Sequence, residues 1–104
     1  MTNAYDALHE QCQIVLQRLE QTLSDQEDDN ALEDALDINY TVDAKGEYLG
    51  ANILMAFGGP NIWVDTRYDR IDGYWGGEHI WLSYNDAHDL HGQCEDLYEC
   101  IRHS

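Results

Sequence analysis

Lysine is almost missing from this chain. Lys45 is the only one, beside Arg18, Arg67, Arg70 and Arg102, in 104 residues that carry 21 Asp and Glu. The resulting formal charge of −16 sets up self-repulsion. It repels nucleic acid and anionic membranes and steers the protein toward basic surfaces. No apolar run approaches the roughly 18 residues of a membrane span. The opening MTNAYDALHE has no basic region followed by an apolar one, so no secretory signal is expected. Three cysteines, Cys12, Cys94 and Cys100, are an odd number and make no disulfide framework. A reducing, cytoplasmic setting with free thiols is the simplest expectation. Also missing are a nucleophile elbow, a phosphate-cradling glycine loop ending in lysine, and a dinucleotide fingerprint. With so many carboxylates some pair always looks catalytic, so such pairs carry no information. The expectation is a protein that is not an enzyme and needs no cofactor.

What is present is enough to fold. Apolar residues make up 43% of the sequence, and eleven side chains are Trp, Tyr or Phe, well above the disordered range. The length suits one domain, residues 1–104. Residues 3 to 24 carry Tyr5, Leu8, Cys12, Val15, Leu16, Leu19 and Leu23 at spacings of three and four, one stripe of a helix. A polar passage, 26 to 37, has a narrow apolar edge sufficient for a short acidic second helix.

From Ile38 the period changes to two. A strand to Val42, a turn at Asp43–Gly46 and a return strand from Glu47 to Phe57 make a hairpin. The return strand should be covered on both sides, with Leu49, Ala51, Ile53, Met55 and Phe57 on one face. Further strands fall at 61–66, 71–75 and 79–84. Asn85 should cap a last helix, Asp86 to Arg102, with Ala87, Leu90, Cys94, Leu97 and Ile101 inward. The fold class expected is α+β: an N-terminal helix, a short acidic helix, a four- to five-stranded antiparallel meander and a C-terminal helix. Within the meander, Phe57-Gly58-Gly59-Pro60-Asn61-Ile62-Trp63 is echoed 18 residues later by Trp75-Gly76-Gly77-Glu78-His79-Ile80-Trp81. The echo predicts one turn geometry used twice, with glycines supplying positive φ.

Three groups of residues invite a functional reading, each with a plainer one beside it. First, Glu20, Asp25, Glu27, Asp28, Asp29, Glu33, Asp34 and Asp37 form a run without an intervening base. Duplex DNA carries one negative charge per roughly 1.7 Å of axis. A rigid row of carboxylates can therefore occupy a basic groove that holds DNA. Solubility, or life in high salt, would produce a similar surface. Second, strict alternation puts Trp63, Asp65, His79 and Trp81 on the sheet face opposite Ile62, Val64, Ile80 and Leu82. Left open, that face would anchor a partner or a homodimer; otherwise the rings stack on their strand neighbours and close the fold. Third, His88, His91 and Cys94 share one helix. They spread over roughly 120° of its circumference and Cys94 lies on the apolar stripe, so no metal site is assigned. Arg67 and Arg70 in a hairpin tip read as internal ion-pair partners.

The stretch Phe57–Arg67, followed by Gly73-Tyr74-Trp75-Gly76-Gly77, resembles small acidic proteins encoded by phages and plasmids of bacteria. Members of that group include anti-CRISPR and antirestriction proteins that imitate DNA or block a nucleic-acid groove. The resemblance spans about a fifth of the chain and brings no site residues with it. It implies an inhibitor acting in the bacterial cytoplasm on a basic nucleic-acid-binding protein, for instance a Cas nuclease.

Overall fold

In a computed structural model the structure describes residues 4–20 and 31–103. The order is α1 (Ala4–Glu20), a single 3₁₀ turn (Ala31–Asp34), β1 (Asp37–Val42), β2 (Tyr48–Ala56), β3 (Asn61–Asp65), β4 (Arg70–Trp75), β5 (Glu78–Ser83) and α2 (Leu90–Arg102). The strands form one antiparallel sheet in sequence order, with β1 and β5 at the edges. This is the α+β meander the periodicities predict. The expected short second helix is only the 3₁₀ turn within the described residues. The ends of the first predicted helix, 3 and 21–24, lie outside them.

The register explains how one side of the sheet becomes the core. Ile38, Ile53, Val64, Ile71 and Leu82 stand opposite one another across all five strands, and Ile62, Gly73 and Ile80 form the next row. Paired residues share a face. On this face Leu8, Cys12 and Leu19 of α1 and Leu90 and Cys94 of α2 join Ala51, Ile53, Ile62, Val64, Ile71 and Ile80 in one buried cluster. Helix α1 lies over β4 and β5, and α2 lies over β2. Gly73 permits the α1 crossing, because a Cβ there would stand 2.5 Å from Cys12 Sγ and 2.9 Å from Leu8 Cδ1.

Helix α2 starts later than its composition suggests. Asn85 and Asp86 precede it, and Asp89, at φ 53°, is the N-cap. The Asp86 carboxylate accepts from Leu90 N at 2.6 Å and His91 N at 3.1 Å, while Asp89 accepts from Gly92 N at 3.1 Å. Two aspartates thus satisfy amides that a helix start leaves unpaired, and this holds Asp86 outside the helix. The inward face shifts with it. Tyr98 sets its ring 5.4 Å from Tyr40 and donates to Gly46 O at 2.6 Å. Leu97 and Ile101, expected inside, are 40% and 62% exposed.

Two register shifts account for other departures. One, between Thr41 and Val42 opposite Tyr48–Gly50, accompanies the contact of Tyr48 with α2, where its hydroxyl donates to His91 O at 2.9 Å. The second, between Leu54 and Ala56, breaks the alternation that would have buried Phe57. That ring is 74% exposed instead. The echo also resolves into two different turns. Gly76 (φ 58°) and Gly77 (φ 83°) are the two central residues of the β4–β5 hairpin, both left-handed as a type I′ turn requires. In the β2–β3 connection only Gly58 (φ 103°) is left-handed, and Pro60, whose ring fixes φ near −65°, leads into β3.

Candidate functional site: the uncovered sheet face

Among the described residues the helices pack on the first face only, and the residues of the second face can be read row by row. Asn39, Asn52, Asp65, Arg70 and Ser83 make one row; Asp37, Leu54, Trp63, Asp72 and Trp81 the next; Asn61, Tyr74 and His79 the last. The expected grouping of Trp63, Asp65, His79 and Trp81 on one face therefore holds. Among the described residues the return strand β2 is covered by α2 on one side, where the expectation was cover on both.

Asp72, which the sequence reading passed over, organises this face. It is only 7% exposed, between Trp63 and Trp81 in its row. Arg70 Nε donates to Oδ2 at 3.2 Å and His79 Nε2 meets Oδ1 at 3.0 Å. Both nitrogens act as donors, since an ionised carboxylate only accepts. Arg70 carries its guanidinium 5.6 Å from the Trp81 ring centroid, and His79 lies parallel on Tyr74 at 4.4 Å and 3°. Ring stacking and ion pairing thus hold one carboxylate and two cation-capable side chains in a fixed array. Trp81 remains 55% exposed and Tyr74 43%, while Trp63 and Asp65 are half-buried. Asp65 is engaged locally, accepting from Arg67 N and Tyr68 N at the β3–β4 turn. The anticipated internal pairing of the hairpin arginines holds for Arg70. Arg67 instead places its guanidinium 5.2 Å from the Tyr68 ring.

The acidic run is only partly described. Asp25, Glu27, Asp28 and Asp29 lie outside the described residues. Glu20 accepts from Asn85 N at 2.7 Å, linking the end of α1 to the approach to α2. Asp34 pairs with Arg18 Nε at 2.9 Å, so a run free of bases in sequence receives one in space. Asp37 accepts from Ile38 N at 2.9 Å; Glu33 and Asp37 are exposed.

His91 points into the protein. Its Nδ1 is 3.2 Å from Thr66 O and 3.3 Å from Thr66 Oγ1, and its ring lies 4.9 Å from Tyr48. Among the described residues no three His, Cys, Asp or Glu side chains are arranged to hold a metal, and no helix is long and apolar enough to cross a membrane. Burial pushes the Cys12 and Cys94 thiols up to about 11, helped by Asp72 and Asp86 respectively; Cys100 is exposed.

No protein-family model matches the chain, and neither a curated protein nor a solved structure matches it.

Proposed function

We propose that the protein is a non-enzymatic inhibitor that binds a basic nucleic-acid-binding protein, such as a CRISPR-Cas nuclease, and occludes its nucleic-acid groove. The observation that carries this reading is the disposal of the cations. Arg18 is held by Asp34, Arg70 by Asp72, and Arg102 by Glu47 and Glu99. Most of the chain's few positive charges are neutralised by its own carboxylates. The surplus acids, including Glu10, Glu33, Glu95 and Asp96, are exposed and set the outward field. Contacts of this kind form fast and weaken with salt. The test is competition with duplex DNA for a purified Cas nuclease at low and high salt. Asp28, Asp29 and Glu33 reversed together to Lys should remove inhibition with unchanged circular dichroism. Undiminished inhibition by that variant would place the contact elsewhere. Asp34 is left alone, because reversing it would set two cations together beside Arg18.

A second reading is favoured by the 55% exposure of Trp81 on an uncovered face: a homodimeric interaction module in which acidity serves solubility. Sedimentation of wild type, Trp63→Ala and Trp81→Ala distinguishes it. A monomer at every concentration removes it.

A further inference from the structure

The two glycine turns of the echo meet at one end of the sheet and line a hollow of about 350 Å³. That is the low end of ligand-pocket sizes, suited to a side chain more than to a cofactor. Asn61, Tyr74 and His79, one row of the ladder, contribute to its wall together with Trp75 and Glu78, which stand opposite each other where β4 turns into β5. The chemistry of this lining is one-sided. Tyr74 and Trp75 are exposed aromatic surfaces. Glu78 is exposed and forms no ion pair among the described residues. Asn61 Oδ1 is buried without a hydrogen-bond partner behind this wall. The imidazole of His79 is committed to Asp72 and Tyr74.

Trp75 and Glu78 alternate onto the other face of the sheet from Tyr74 and His79, and the face of Tyr74 and His79 already shows what an aromatic and a carboxylate together hold. Arg70 lays its guanidinium over Trp81 and bonds Asp72: an aromatic face plus a carboxylate. At the hollow the aromatic and the carboxylate recur, and no arginine is among the described residues that line it. We infer that the hollow receives the guanidinium of an arginine on the basic protein proposed above, on which reading its occupant rests. A planar guanidinium can lie on a ring while its edge reaches a carboxylate, which a compact ammonium does less well. Anionic ligands are disfavoured by Glu78 and by the charge of the whole chain.

Titration of the ¹⁵N-labelled full chain with N-acetyl-Gly-Arg-Gly-amide, and with its lysine and citrulline counterparts, tests the site. The arginine peptide should move the amide signals of Gly59, Gly76 and Gly77 and the Trp75 indole signal. Citrulline, equal in shape but neutral, should bind at least about tenfold more weakly, and lysine about fivefold. Glu78→Gln should weaken the arginine peptide about fivefold with no change in melting temperature. Equal response to arginine and citrulline, shifts confined to the other carboxylates, or an unaffected Glu78→Gln would each overturn the inference. If Glu78→Gln still displaces DNA from the nuclease as well as wild type does, the inhibitor reading stands and the hollow is not its contact. If the peptide fills the hollow while the protein never competes with DNA, the hollow stands and the inhibitor reading falls.

Discussion

The two faces of the sheet are built from the same strands, yet they solve opposite problems. The covered face carries Ala51, Ile53, Ile62, Val64, Ile71 and Ile80, all at most 7% exposed, and is closed by apolar side chains of two helices. The other face has no helix on it among the described residues, and its own side chains cover one another. Trp63 and Trp81 flank Asp72, Arg70 lies over Trp81, and His79 stacks on Tyr74. An uncovered sheet can thus keep a carboxylate dry by roofing it with its own neighbours, using charge and rings where the first face uses volume. One face is a core. The other is a structured surface.

The largest test of that contrast is to damage the core. Ile71→Ala, at a fully buried position, should lose about 3–4 kcal/mol in urea unfolding. Gly73→Val should lose about 3 kcal/mol by overpacking against Cys12 and Leu8. A cost under about 1 kcal/mol for either would mean that α1 is not seated on β4.

Alkaline stability comes next. The Cys12 and Cys94 thiols ordinarily titrate at 9.0 and are raised to about 11 in the fold. A raised folded value favours the folded state below the unfolded value and ceases to do so as pH passes the folded one. Stability should therefore fall between about pH 9 and pH 11, by roughly 2 kcal/mol per thiol. Cys12→Ser with Cys94→Ser should flatten that slope. Below this window only Cys100 should react with a thiol reagent in the native protein, and three equivalents should react after denaturation.

On the second face the effects shrink. Asp72→Asn should cost about 1–2 kcal/mol, since Arg70 and His79 lose a charged acceptor. Trp81→Ala should cost under about 1 kcal/mol because the ring is half in water. If Trp81→Ala instead costs as much as Ile71→Ala, and the cost falls as protein is diluted, a second copy covers the face and the homodimer is the better account.

Much of this contrast could be read from the chain. Alternation from Ile38 onward separates the isoleucine rows from the tryptophans, because a pleated strand has a period of two. The 3–4 spacing of Leu8, Cys12, Val15 and Leu19 finds α1. What escaped depends on interactions remote in sequence or on small breaks of period. The second register shift freed Phe57 from its expected stripe. The carboxylate of Asp86 folds onto the amides of Leu90 and His91, and α2 begins after it. Asp72 looks like any outward strand residue; only the register that brings Trp63 and Trp81 beside it explains its burial. Half of the acidic run lies outside the described residues. The other half proves tied in part to Asn85 and Arg18, which no local pattern signals.

Among the described residues the strand order places β1 and β5 at the edges of the sheet, and an edge strand offers backbone amides and carbonyls to any other extended chain. In a molecule of this charge, long-range repulsion keeps two such edges apart. Screening shortens to about 3 Å at molar salt. The acidity then acts as a guard on colloidal stability as well as a field for partners. Salt that releases a basic partner also lowers the barrier to edge-to-edge pairing, so release is best tested at low protein concentration.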